Sequence, residues 1–198
     1  MKGSTRESTI DAGLADELWL EFYTKKGLAW LAVRTGSMVP LIQPGDSVLI
    51  SKAAAEQIRP GDVVIFRRGE DMIVHRVLKK LRSDDGLLFL EKGDNSGVCR
   101  TFGTEDVIGK AIMVKGRGKI FYLVSPVGRS INSALSVCFY WSSAVVRRLK
   151  DSSHRNIRRA GKVFMLISLL SSNILVRICC IVWYLSGIKY RKSADLDW

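Results

Sequence analysis

Only two histidines, four prolines and four cysteines occur in the 198 residues, and each scarcity removes a class of protein. Cys99, Cys138, Cys179 and Cys180 form no C-x-x-C pair and have no histidine at metal-ligand spacing, so neither a zinc site nor a disulfide framework is expected. No metal or other cofactor is implied. So little proline, with 47% hydrophobic and 25% charged residues, excludes a mainly disordered or collagen-like chain and predicts a packed core. A secretory leader is not expected either: the basic stretch Met1 to Arg6 is followed by Glu7, Asp11, Asp16, Glu17 and Glu21, with no apolar core between. The length suits one domain with appendages.

Acidic residues are scarce in one half only. Residues 1–110 hold 16 Lys+Arg against 16 Asp+Glu, whereas residues 111–198 hold 15 against 3, so the whole net charge of +12 belongs to the C-terminal part. That asymmetry separates a neutral body from a basic extension that seeks anionic partners, phospholipid head groups or nucleic acid.

Along the body, Ile10, Leu14, Leu18 and Phe22 recur every four positions, broadened by Trp19 and Leu20, which predicts an amphipathic helix up to Tyr23. Its polar face is acidic, which favours packing on the body over lying on a membrane. Beyond Lys26-Gly27 the texture changes to short apolar runs: Leu28 to Val33, Ser47 to Ile50, Asp62 to Phe66, Met72 to Leu78, Leu87 to Leu90 and Val107 to Val114. Bounded by Gly, Pro and Asp, they predict a compact β domain. Pro44-Gly45-Asp46 and Pro60-Gly61-Asp62 each lead directly into a strand.

The C-terminal region carries two apolar stretches around a basic one. Ser130 to Val146 is free of charge, Arg147 to Lys162 is basic with Asp151 as its sole acid, and Val163 to Ile188 is apolar apart from Ser171-Ser172-Asn173 and Arg177. The last has the length of a spanning helix, but Arg177 near its middle costs about 2.5–3.5 kcal/mol on insertion. The first suits a helix on a membrane or on the body equally. A soluble helical subdomain with a basic face remains open.

For chemistry, His154 lies among the basic charges, so a histidine-dependent site falls to His75. In Met72-Ile73-Val74-His75-Arg76-Val77 a strand puts Ile73, His75 and Val77 on one face and Val74 and Arg76 on the other. Ser37, in Thr35-Gly36-Ser37-Met38-Val39-Pro40, stands before the first Pro-Gly-Asp turn. A serine hydroxyl becomes nucleophilic at neutral pH when a base takes its proton, and that base comes from another segment.

Ser37-Met38-Val39-Pro40, Gly45-Asp46-x-Val48-Leu49, Gly61-Asp62-Val63-Val64, His75-Arg76-Val77, Gly93-Asp94-Asn95 and Ile108-Gly109-Lys110-Ala111 occur in the order and spacing of the type I signal peptidase family, which this chain resembles over residues 28–115. The resemblance implies a serine endopeptidase that removes leader or signal peptides from precursors, with Ser37 as nucleophile and His75 as base. It points to the Ser/His branch of the endoplasmic-reticulum type, not the Ser/Lys branch. Histidine, which starts near about 6.5, needs only orientation, where lysine must be desolvated. Asp94 is the implied orienting carboxylate, its bland alternative being a turn residue. The resemblance puts Ser37 N–H and Thr35 at the oxyanion and Val33 and Arg34 on an edge strand that takes an extended substrate. Two features depart from the family: Val98-Cys99-Arg100 stands where a further acid often follows, and no membrane helix is expected ahead of Ser37.

The expected architecture is mainly β, of signal-peptidase and LexA-like type, with an N-terminal helical segment (residues 1–27), the β catalytic domain (28–127) and a helical basic C-terminal region (128–198). Arg147 to Lys162 and Val163 to Ile188 would associate it with membrane phospholipid. If only the second stretch spans, the body is cytoplasmic, and if both span it faces out. The alternative is a non-catalytic peptide-binding or LexA-like regulatory protein. No specific nucleic-acid partner is expected, since no helix-turn-helix precedes the domain.

Overall fold

The computed structural model describes residues 12–84, 86–116 and 119–150. Eight strands form one curled antiparallel sheet: β1 (Leu28–Ala32), β2 (Ser47–Ser51), β3 (Val63–Arg68), β4 (Asp71–Ser83), β5 (Gly86–Lys92), β6 (Cys99–Gly103), β7 (Val107–Gly116) and β8 (Lys119–Tyr122). Their order is β1-β2-β7-β3-β4-β5-β6, with β8 also paired to β7. Helix α1 (Ala12–Lys26) precedes β1 and α2 (Pro126–Lys150) follows β8. The mainly β class with an N-terminal helix and a C-terminal helix is as expected. Strands β6 and β8 were not anticipated, because Cys99–Gly103 has too little apolar alternation to read as a strand alone.

The two Pro-Gly-Asp segments are the same device used twice. Proline fixes the first central position and glycine accepts the positive φ of the next, 89° at Gly45 and 97° at Gly61. Each aspartate then turns its carboxylate back on the start of its turn: Gln43 N–H donates to Asp46 Oδ2 at 2.8 Å and Arg59 N–H to Asp62 Oδ2 at 2.9 Å. These turns launch β2 and β3.

Strand β3 is buried on both faces, which is why it reads as a continuous apolar run. Val63 and Ile65 enter a large core with Ile42, Val48, Leu78, Leu135 and Phe139. Val64 and Phe66 enter a smaller one with Ile58, Val77, Phe89 and Phe102. Helix α2 closes the large core: Leu135 and Phe139 are fully buried, and Ser136 Oγ bonds the carbonyls of Val77 and Leu78 at 3.2 and 3.1 Å. Its close approach leaves Gly61 no room for a Cβ, which would lie 2.9 Å from the Asn132 backbone. The charge-free stretch Ser130 to Val146 is thus a helix docked on the body. Among the described residues no helix is long and apolar enough to cross a membrane. His154, Arg155 to Lys162 and Val163 to Ile188, including Arg177, lie outside the described residues.

Helix α1 corrects an expectation. Leu18 and Phe22 of the stripe are about half exposed, while Tyr23 is buried and Trp19 and Leu20 pack against the core. Trp19 stacks on Tyr23 at 5.1 Å, Trp19 Nε1 donates to Trp30 O and Tyr23 Oη to Ile108 O. Aromatic rings with polar tips share this face with Leu20 because the sheet offers carbonyls there. Burial pushes the Tyr23 phenol up to about 12. Ile10 lies outside the described residues.

Candidate active site

Ser37 sits half-buried in a tight loop between β1 and β2. Val39 N–H closes on Gly36 O at 3.2 Å and Ile42 N–H on Met38 O at 3.1 Å, while Met38 and Ile42, both buried, pin the loop into the core. The Val39–Pro40 peptide is cis. A second loop, following β5, is tied to it through main chain: Asn95 N–H donates to Ser37 O at 2.8 Å and Asn95 Nδ2 to Gly36 O at 3.4 Å.

His75 projects from the middle of β4 on the face of Val77, its ring edge-on to Phe66. Its Nε2 edge points to the same place as the Ser37 loop: a Cβ on Gly93 would lie 2.7 Å from Ser37 O and 2.9 Å from His75 Nε2. The serine loop and the imidazole therefore flank one glycine, and the hydroxyl of Ser37 makes no hydrogen bond to the imidazole. Any side chain at 93 would push the two apart. Gly93→Ala is expected to lower turnover by about 10²-fold, the scale of an ångström-sized misplacement. Peptide cleavage assayed beside a thermal melt checks this, and a variant as active as wild type would contradict it.

The other ring nitrogen is held by a carboxylate, and it is not Asp94. His75 Nδ1 lies 2.5 Å from Glu91 Oε2 on β5, while Arg68 Nη2 donates to Glu91 Oε1 at 2.8 Å. Glu91 is 1% exposed. Burial pushes its carboxyl up, but hydrogen bonds from His75 and Arg68, with their charges, outweigh burial and hold it below the ordinary carboxylate range. An ionised carboxylate only accepts, so Nδ1 keeps a proton against Glu91 and Nε2, facing the serine loop, is the nitrogen free to take one up or give it away.

Asp94 faces elsewhere. It receives a bidentate pair from Arg76, Nε to Oδ1 at 2.8 Å and Nη2 to Oδ2 at 2.7 Å, with both side chains fully buried. Arg76 Nη1 also reaches Gly61 O and Asn132 Oδ1. Lys92, buried beneath the Phe139 ring, donates to the carbonyls of Gly93 and Asp94. Burial pulls its ammonium below the ordinary lysine range against the opposing pull of Asp94. The Asp94 expectation is thus corrected: alternation along β4 sends Arg76 to the face opposite His75, and Asp94 follows Arg76.

Of the remaining candidates, Thr35 is exposed two residues before Ser37. β1 is an edge strand, as expected. Val33, however, turns both main-chain groups inward: its N–H donates to Asp46 O and its carbonyl accepts from Gly45 N–H. It is 7% exposed and packs in the core, so it offers no main-chain pairing to a substrate. Alternation turns the main chain of Ala32 to the outer side of β1 instead. Cys99 begins β6 opposite Lys92 as a free thiol.

Residues 4–98 match the family described as Peptidase S24-like. Over 71 residues it is 41% identical to the signal peptidase complex catalytic subunit SEC11C of Homo sapiens, an alignment covering 34% of this chain and 37% of that protein. Over 94 residues it is 34% identical to the signal peptidase complex catalytic subunit SEC11 of Metarhizium robertsii, covering 41% and 55%. The chain thus spans between about a third and a half of the length of these relatives.

Proposed function

We propose that this protein is a serine endopeptidase that removes leader or signal peptides from precursor proteins, using Ser37 and His75. The observation that carries the reading is the imidazole of His75, oriented by Glu91 through Nδ1 with its Nε2 edge toward the loop that bears Ser37. In this mechanism Nε2 takes the Ser37 hydroxyl proton as Oγ attacks the scissile carbonyl, and the imidazolium returns that proton to the leaving amine. Water, deprotonated by Nε2, then cleaves the ester. Glu91 fixes the tautomer and balances the imidazolium charge without itself taking the proton. Ser37 N–H and Thr35 Oγ1 stabilise the oxyanion, and an extended substrate pairs along β1 near Arg34. Similarity to catalytic subunits of signal peptidase complexes supports the substrate class. Membrane association completes the reading, with the basic residues from Arg147 to Lys162 and the apolar stretch 163–188 as attachment.

The test is co-expression with a library of leader peptides carrying small residues, cut products being read by mass for wild type, Ser37→Ala and His75→Ala. Cuts that vanish in both variants support the Ser/His pair. Cuts that persist in Ser37→Ala remove the nucleophile, and a folded wild type that cuts nothing favours a peptide-binding role.

A further inference from the structure

Beside the C-terminal half of α2 lies a cavity of about 340 Å³ whose charged lining is all of one sign: Lys79 from β4 and Arg147 and Arg148 from α2. No carboxylate lines it among the described residues, and Tyr140, Thr101 and the apolar Leu81, Leu90 and Ala144 complete the wall. Other cavities differ. One of about 700 Å³ near Gly61 contains Glu56 and Asp62, the latter paired with Lys110. One of about 380 Å³ beneath α1 sets Lys52 and Arg67 against Glu105 and Asp106. An anionic guest relieves the mutual repulsion of these three cations, none of which has a carboxylate partner among the described residues.

What adjoins the cavity narrows that guest. Val127, Ala134, Val137, Trp141 and Val145 recur at helical spacing on the face of α2 opposite the docked Leu135 and Phe139, and all five are exposed. Trp141 is 62% exposed, its ring edge-on to Tyr140 on the cavity wall. An apolar face carrying an exposed tryptophan beside clustered arginines matches the boundary between acyl chains and head groups. Lys79 is already oriented toward the hollow, its Nζ 5.2 Å from the centre of the Tyr140 ring and 3.3 Å from Tyr140 Oη.

We propose that this cavity binds the phosphate head group of an anionic phospholipid while the exposed face of α2 lies in the bilayer interface. The proposal rests on the membrane-association part of the function above, not on the peptidase chemistry. It assigns the contact to a built hollow on the folded body, distinct from the basic residues beyond 150.

The test is co-sedimentation of the full chain with phosphatidylcholine vesicles, with and without phosphatidylglycerol. Three variants are compared: Lys79→Gln/Arg147→Gln/Arg148→Gln, an equal-charge control Arg155→Gln/Arg158→Gln/Arg159→Gln, and the charge-neutral Trp141→Ser. Removing three cations at an anionic surface weakens binding roughly 100-fold. The cavity triple is expected to lose that much or more, the control clearly less, and Trp141→Ser about tenfold. All three should melt within a few degrees of wild type. Equal losses in the two triples, or unaltered binding by Trp141→Ser, would overturn the site while leaving membrane association standing. Release of bound wild type by inorganic phosphate would make the guest a free anion and overturn the lipid assignment. Failure of wild type to sediment with anionic vesicles would overturn the site and membrane association together.

Discussion

Glu91→Gln is expected to lower kcat by roughly 10⁴-fold with little change in KM, the scale on which a serine enzyme suffers when its histidine is offered an amide instead of a carboxylate. One oxygen of Glu91 accepts from His75 Nδ1 and the other from Arg68 Nη2. A glutamine has one acceptor for two donors. If the amide oxygen stays on Arg68, its NH₂ faces Nδ1 and drives the ring proton to Nε2, where no proton can be taken from Ser37. Arg68→Met alone leaves the carboxylate on Nδ1 and should cost far less activity. Stability carries a matching signature. The folded-state carboxyl is lowered, so the stabilisation from ionised Glu91 is present above its ordinary value of about 4.5 and is lost as pH falls through the lower folded value. Urea midpoints at neutral and acid pH should diverge in wild type and less so in Glu91→Gln. A variant with wild-type kcat would remove Glu91 from the mechanism.

Arg76→Met is expected to destabilise the fold by about 3–5 kcal/mol, because it leaves Asp94 ionised and buried with its bidentate partner gone. For a chain of this size that is a fall in Tm of the order of 10 °C. The guanidinium joins four separate segments: its own strand β4, the loop at Asp94, the turn at Gly61 and, through Asn132, helix α2. Pairing the change with Asp94→Asn removes the stranded charge, so the double variant should recover at least half of the loss, a non-additivity that identifies direct coupling. Asp94→Asn alone should act on stability more than on chemistry, the opposite of Glu91→Gln. A single variant within about 1 kcal/mol of wild type would show that the buried pair is not what binds these segments.

Much of the scaffold was legible. The Pro-Gly-Asp turns could be read because proline and glycine meet the dihedral demands of that turn locally, whatever surrounds them. His75 could be singled out because a chain with two histidines leaves few choices, and Ser37 through the resemblance of Ser37-Met38-Val39-Pro40 to the signal peptidase serine box. The docked face of α1 could not be read, since aliphatic periodicity gives no sign that Trp19 and Tyr23 would find the carbonyls of Trp30 and Ile108. Nor could the inward turn of Val33, whose partners Gly45 and Asp46 belong to the next turn.

The carboxylate on His75 marks the boundary most sharply. The sequence by itself determined the β class, the two turns, the serine loop and the face of β4 that bears the histidine, because each depends on neighbours within a few residues. Which acid meets the imidazole depended on register. From Ser83 opposite Gly86 the hairpin pairs residue for residue to Lys79 opposite Leu90, and an unbroken ladder would then set Lys92 opposite Val77, on the face of His75. A bulge between Val77 and Lys79 moves Glu91 there instead and sends Lys92 under Phe139. A one-residue slip exchanges the faces of every following side chain, so the same hairpin sequence delivers either a lysine or a carboxylate to the histidine. Only packing against β6 and α2 decided which.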